Sequence, residues 1–465
     1  MQLVADQPDS ADAPGPAEPA VEPAWQRQGR LYVIGVDGVS PDVARPMMER
    51  GELPTFARLA AEGCHGPLAT IQPTNSSLLW TSIATGRHHD DHGVDGFQFY
   101  TILGHRLSRT AILKYRRRGI RVLEFAAKLL RLRKRYSFDG RYIRTKTLWD
   151  IVSESGGRVG VVNWWHSWPA APVNGFIVSD RLHYWRAAWR GKAAKDTHLT
   201  YPQGLLDEVR ELMTPPEQVT AAQLQRFIDL PADEIRALMD VPVRTRSPVI
   251  EVRFLVSADG SYSRIFHHCL EREPGTQLAI AYFRGPDIAQ HCGFDFMPAS
   301  TASDATPEER QAYGRVVPEA YKFADELLAR IVDRMGPQDT LLALSDHGYG
   351  AQPGSRRDPY GHEKGEPPGV IFAMGPEFRR GALVSGASIY DLFPTALRVL
   401  GFPPAQDSVG RCLEELLRPE WAAEHPPLPP IPTYGLRRKR HDTIRASSET
   451  DKTVTDHLRA LGYLE

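Results

Sequence analysis

Six short runs of consecutive apolar residues punctuate the chain: LYVIGV at 31–36, VGVVNWW at 159–165, GFIVS at 175–179, LAIAYF at 278–283, TLLALS at 340–345 and GVIFAM at 369–374. Runs of this length without polar alternation predict strands covered on both faces. Between them, apolar residues recur at helical spacing over 41–62, 78–86, 308–335 and 387–401. Strand and helix alternate at both ends of the chain, which predicts an α/β sandwich around a largely parallel sheet.

Two stretches break the rhythm. Residues 97–146 are basic, with 15 Lys or Arg from Arg106 to Lys146 against two acids, Glu124 and Asp139. Residues 186–275 are mixed, with helical patches and no strand rhythm until about 248. Both are expected as insertions over the carboxyl ends of the strands, forming a cap. Residues 1–29 are rich in Ala, Pro, Asp and Glu and lack the basic and apolar regions of a secretory signal, so they read as a disordered leader. One domain is expected over 30–440, with a C-terminal tail over 441–465.

Composition narrows the classes. The 465 residues are 42% hydrophobic, ample for a large core, and a formal charge of −1 makes the whole molecule no general polyanion binder. Cys64, Cys269, Cys292 and Cys412 stand far apart, which argues against a disulfide framework or thiolate metal site and fits a reducing compartment. No apolar run is long enough to span a bilayer. The expected location is cytoplasmic.

Chemistry gathers where the apolar runs stop. The first ends on Asp37, flanked by Gly35 and Gly38; TLLALS is followed by Asp346 and His347; LAIAYF is followed by Asp287 and, four residues on, His291. Ligands of open parallel sheets collect at the carboxyl ends of the strands. Three carboxylates converging there repel one another unless cations lie between them. Asp and neutral His are ligands that Zn²⁺ accepts, and His362, in a Gly/Pro-rich loop, offers a further one. Taken singly, each acid reads more simply as a cap or turn former. Thr74, Ser76 and Ser77 lie in a polar turn ahead of an apolar helical segment. A hydroxyl there would sit at a helix N-terminus, where backbone N–H groups receive an anion.

Together the motifs GVDG, PTNSSLLWTSIATG followed by HGV, GPDIAQH, SDHG and H…GVIFAMGPEF…SIYDLFPTALRVLGFP…VGR, in that order, resemble the type I phosphodiesterase/nucleotide pyrophosphatase branch of the alkaline phosphatase superfamily. The likeness covers 30–97 and about 275–412, and more weakly 145–182. It implies a three-layer α/β/α sandwich of the alkaline-phosphatase-like type with cap insertions, with 30–440 as the catalytic domain. It also implies two divalent metal ions, Zn²⁺ by ligand type. One would be held by Asp287, His291 and His362, the other by Asp37, Asp346, His347 and the nucleophile's oxygen. In such enzymes the nucleophile stands ten positions before the glycine of the TG pair, which here designates Ser76. The activity implied is a phosphodiesterase working through a phospho-serine. A phosphomonoesterase, a phosphonate hydrolase and a phosphoryl-group transferase share the same core.

The substrate expected is a phosphorylated small molecule or a lipid or glycan headgroup. The basic insertion suggests either an anionic surface or, more simply, a solvated helix face; no nucleic-acid module accompanies it. A binding protein on an inactive hydrolase scaffold is the non-enzymatic alternative. Five tryptophans between 164 and 189 are expected mainly to pack the cap. His88, His89, His267 and His268 match no motif and receive no role.

Overall fold

The computed structural model describes residues 21–25, 27–102, 105–107, 132–183, 198–240, 247–297, 304–350 and 367–437, with Thr455 and Arg459. Strands in chain order are β1 (Leu31–Val36), β2 (Cys64–Ala69), β3 (Gln98–Ile102), β4 (His105–Leu107), β5 (Arg133–Ser137), β6 (Val159–Val162), β7 (Gly175–Val178), β8 (Thr200–Tyr201), β9 (Leu278–Phe283), β10 (Thr340–Leu344), β11 (Gly369–Met374), β12 (Ala382–Leu383) and β13 (Ala387–Ser388). Ten of them form a mixed sheet in the order β12-β2-β11-β10-β1-β9-β6-β7-β8, with β13 beside β2. Its centre is parallel: β1 pairs with β10 on one side and β9 on the other, and β9 continues to β6 and β7. β11 and β8 run antiparallel to their neighbours.

Side chains of β1 alternate between two cores, as the period of two requires. Tyr32, Ile34 and Val36 share one core with residues of helices Pro41–Glu49, Pro54–Glu62, Pro248–Arg272, Gly285–Gly293 and Val316–Val332. Leu31 and Val33 share the other with helices Ser76–Thr85, Leu148–Glu154 and Leu392–Val399. Helices therefore cover both faces, giving the expected α/β sandwich.

All six apolar runs form strands, shorter by one to three residues where a run extended past the pairing. The helical stretch 41–62 is two helices, parted at Gly51, whose φ of +74° ends the first. Pro248–Arg272, counted with the second insertion in the sequence reading, is a 25-residue helix. Its Val252, Leu255, Ile265 and Phe266 lie in the same core as β1 and β9, so this part is a layer of the sandwich. Within the basic insertion, β3, β4 and β5 form a separate antiparallel sheet; residues 108–131, which hold most of its charge, lie outside the described residues. Among the described residues, no helix is long and apolar enough to cross a membrane.

Candidate active site

Sheet order places the three acids. Asp37 directly follows β1, Asp287 lies in the first turn of the helix after β9, and Asp346 follows β10 by two residues. β9 and β10 flank β1 in parallel, so all three acids reach one end of the sheet. Asp37, Asp346 and His347 are fully buried, with one ligand atom from each lying within 4.8 Å of the others. His347 Nε2 is 3.3 Å from Asp37 Oδ1, 3.7 Å from Asp346 Oδ2 and 4.0 Å from Asp287 Oδ1. Asp287 Oδ1 lies in turn 3.4 Å from His291 Nε2. Six sequence-predicted ligands thus fall into two adjoining groups, save His362, which lies outside the described residues.

The glycines around Asp37 are explained by close approach. A Cβ on Gly35 would stand 2.5 Å from the Trp80 ring, and one on Gly38 2.8 Å from the Asp287 backbone. Gly38 also has φ +72°, the left-handed region that glycine enters at no steric cost. Hydrogen bonds then lock the turn. Ser345 Oγ accepts the Val39 N–H at 2.8 Å and donates to the His347 carbonyl at 2.8 Å. Gln290 Nε2 donates to the Gly38 carbonyl at 2.7 Å, while the Tyr321 hydroxyl accepts the Ser40 N–H and donates to Gln290 Oε1, each at 2.8 Å. The helix carrying Asp287 and His291 is held at its start by Asp259, whose carboxylate accepts the N–H of Gly285 at 2.8 Å and of Arg284 at 3.1 Å. Burial pushes the Asp259 carboxyl up to about 7, against the pull of Arg284.

Hydrogen-bond satisfaction inside the cluster is lopsided. Asp37 Oδ2 accepts the Trp80 indole N–H at 3.2 Å and the Tyr282 hydroxyl. Burial first, and then the Asp37 charge, hold the Tyr282 phenol protonated, well above its usual range. By contrast Asp37 Oδ1 and both oxygens of Asp346 are buried and accept no hydrogen bond from any described residue. Burial, followed by the charge of Asp37, raises the Asp346 carboxyl well above the usual carboxylate range. His347 Nδ1 lies 2.8 Å from the Gly348 carbonyl, which places the proton there and turns the Nε2 lone pair toward the acids. A histidine oriented by a backbone carbonyl and facing unsatisfied carboxylates is the usual arrangement of a metal ligand. The donor set therefore fits divalent cations.

The three candidate hydroxyls separate cleanly. Thr74 Oγ1 accepts from Gln72 at 2.9 Å. Ser77 Oγ lies 2.6 Å from the Gly96 carbonyl and 2.7 Å from His166 Nε2, hydrogen-bonded to both groups. Ser76 Oγ is buried and has no hydrogen-bond partner among the described residues. Ser76 opens the helix Ser76–Thr85, with Asn75 as the N-cap. Trp80 is one turn further along the same helix, and residues four apart share a face. The indole that touches Asp37 thus places Ser76 on the side of the helix that looks at the cluster.

Sequence reasoning missed Trp80, Tyr282, Asp259 and His166. Only Trp80 carried a local signal, its i+4 spacing from Ser76. His166 is fully buried and burial pushes it down to about 4, so it is neutral at physiological pH. Asp180 accepts its backbone N–H at 3.0 Å, holding it at φ +60°. His166→Ala is expected to loosen the turn bearing Ser76 and lower kcat roughly 10- to 100-fold, the scale of a small misplacement at a reacting centre; steady-state kinetics tests it. A neutral buried histidine binds its proton more weakly than in the unfolded chain. Stability contributed here is therefore present above pH 6.5 and lost as pH falls toward 4, on the order of 3 kcal/mol. Denaturant titrations at pH 7 and 4.5 should show a shallower decline for His166→Gln than for the native chain.

Of the tryptophans between 164 and 189, Trp164 and Trp168 are fully buried and Trp165 nearly so, consistent with a packing role. Trp185 and Trp189 lie outside the described residues.

A family model described as type I phosphodiesterase/nucleotide pyrophosphatase matches residues 31–362, more than half of the chain and the span that holds every candidate ligand. The chain belongs to that family. As a type I phosphodiesterase/nucleotide pyrophosphatase relative it is a hydrolase of phosphate esters. Comparison with curated proteins gives no match. Solved structures similar to this family member include the phosphonate monoester hydrolase SpPMH from Silicibacter pomeroyi, 13% identical, with a TM-score of 0.45 over 85% of this chain and 78% of that one. Murine ectonucleotide pyrophosphatase/phosphodiesterase 5 is 12% identical, with a TM-score of 0.43 over 84% of this chain and 100% of that one. A mutant of the alkaline phosphatase PafA is 12% identical, with a TM-score of 0.44 over 85% and 100%.

Proposed function

We propose that the protein is a phosphodiesterase that transfers the phosphoryl group of its substrate to Ser76 and then to water, at a site holding two zinc ions. The observation that carries this reading is the set of buried, unsatisfied acceptors on Asp37 and Asp346 facing the Nε2 of His347, beside a serine whose hydroxyl is likewise unengaged. Asp37, Asp346 and His347 would hold one cation, with the Ser76 oxygen; Asp287, His291 and His362 would hold the other. Bound there, the two ions supply charge neutralisation at the phosphoryl oxygens and a lower pKa for a coordinated hydroxyl.

The chain's own groups do the rest. Ser76 Oγ attacks phosphorus, an Oγ–P bond forms, the bond to the leaving alcohol breaks, and the proton lost by the serine is balanced by one gained at the leaving oxygen. Water then cleaves the phospho-serine and restores the hydroxyl. Trp80 and Tyr282 fix the Asp37 carboxylate, and Ser77, tied to His166 and Gly96, holds the first helical turn still during both transfers. The burial of Ser76 keeps bulk water from the nucleophile before substrate binds.

Turnover of bis-p-nitrophenyl phosphate beside p-nitrophenyl phosphate, with zinc measured on the same preparation, tests the reading. Faster diester hydrolysis, abolished by chelation and restored by Zn²⁺, is expected. Faster monoester hydrolysis would make the protein a phosphomonoesterase. Absence of both activities in zinc-loaded protein would leave a binding scaffold.

A further inference from the structure

The segment RHHDDHGVDG, residues 87–96, contains three histidines and three acids that the catalytic cluster does not use. From the short turn after the Ser76 helix, we infer a third metal site, built by His88, His89 and Asp90 and suited to a borderline divalent cation such as Zn²⁺. One ligand atom from each of these residues lies within 4.8 Å of the others.

Backbone geometry makes adjacent ligands possible. His88 is extended, at φ −69° and ψ 153°, and His89 begins the short helix His89–His92. Successive side chains point apart within a strand and about 100° apart within a helix. At the junction between the two conformations the rings turn to one side, with centroids 4.1 Å apart. Asp90 reaches the same side: its Oδ1 is 3.3 Å from His89 Nδ1 and its Oδ2 is 3.6 Å from His88 Nδ1. Ligands bound tetrahedrally at 2.0–2.1 Å are separated by about 3.3–3.4 Å, and the two His–Asp90 distances, each to a different carboxylate oxygen, are of that order.

Two further observations point to a ligand. His89 Nδ1 is buried and makes no hydrogen bond among the described residues; its approach to Asp90 has the distance of a hydrogen bond without the alignment. The site is also acidic. Asp90, Asp91 and Asp95 all lie close enough to His89 to favour positive charge there. The nearby cation, Arg87, is engaged by Asp407 and lies 3.7 Å from Asp91. Competition comes from the Asp90 N–H, which donates to His88 Nδ1 at 3.4 Å, a long bond that a cation displaces at little cost.

His88 and Asp90 are 45% and 71% exposed, leaving open positions for water and a path of entry. Ser76 opens a ten-residue helix, about 15 Å long along its axis, and this turn follows the other end of it. The site is thus distinct from the catalytic pair. His92 Nε2 bonds Ser82 Oγ at 3.0 Å, so an ion held here would brace the far end of the nucleophile's helix.

Calorimetric titration of Zn²⁺ into the metal-free full chain and its variants decides the matter. Asp37→Ala/Asp287→Ala, which disables the catalytic cluster, is expected to retain one equivalent. Adding His88→Ala to that background should remove it or weaken it at least tenfold. In the otherwise native chain, His88→Ala/Asp90→Asn, both at exposed positions, should end one equivalent below the unsubstituted protein with an unchanged circular dichroism spectrum. An unaltered stoichiometry and affinity in that second variant, or no binding to the catalytic-site variant, overturns the third site. Neither result depends on turnover.

Discussion

With Ser76 as the proposed nucleophile, Ser76→Ala is expected to abolish hydrolysis without changing the amount of zinc the protein binds. Loss of a nucleophile whose partners act as a unit costs on the order of 10⁴-fold or more in kcat. The substitution removes one buried oxygen that no described residue hydrogen-bonds, so it strands no partner and leaves stability nearly unchanged. Ser77 is a poor substitute, because its hydroxyl is already committed to Gly96 and His166. Substrate incubated with native protein and quenched in acid should leave phosphate on the peptide containing Ser76, detectable by mass spectrometry, and the alanine variant should show none. Activity in that variant near the native level would move the nucleophile elsewhere.

Asp346→Asn should separate the metal's contribution from that of the fold. The carboxylate is fully buried, accepts no hydrogen bond among the described residues and stands beside Asp37. In metal-free protein its ionisation is opposed by burial and by its neighbour, so its raised pKa makes it a liability that grows as pH rises above the usual carboxylate range. Replacing it with a neutral amide of the same shape is therefore expected to raise the thermal midpoint of the metal-free protein at pH 7. The loaded enzyme should respond in the opposite sense. Loss of one zinc equivalent and at least a 10³-fold fall in kcat/KM follow if the carboxylate is a ligand. A variant that keeps two tightly held zincs, or one that destabilises the metal-free chain, contradicts the assignment. The trade of stability for an unsatisfied, functional cluster is a common one.

Much of this site was legible before any tertiary contact was known. Strands announce themselves by unbroken apolar runs, and an acid placed where such a run stops has few bland explanations when three runs do the same. Asp37, Asp287 and Asp346 could be set at strand ends because strand length and direction are local properties. β2 escaped notice because Gly66 and Pro67 interrupt its apolar character. Its place in the sheet comes from antiparallel pairing with β11, some 300 residues away. Long-range pairing of this kind compensates for weak local propensity.

The sequence by itself determined the fold class, the strand ends and the types of side chain gathered there, because each depends on periodicity and side-chain chemistry within a few residues. The tertiary structure decided which of three neighbouring hydroxyls is unengaged, since that turns on Gly96 and His166, 19 and 89 positions away. It also decided what steadies Asp37, through Tyr282 at a separation of 245 residues, and what fixes the turn after it, through Ser345 at 306. Such partners are chosen by the order of strands in the sheet, and no local pattern encodes that order.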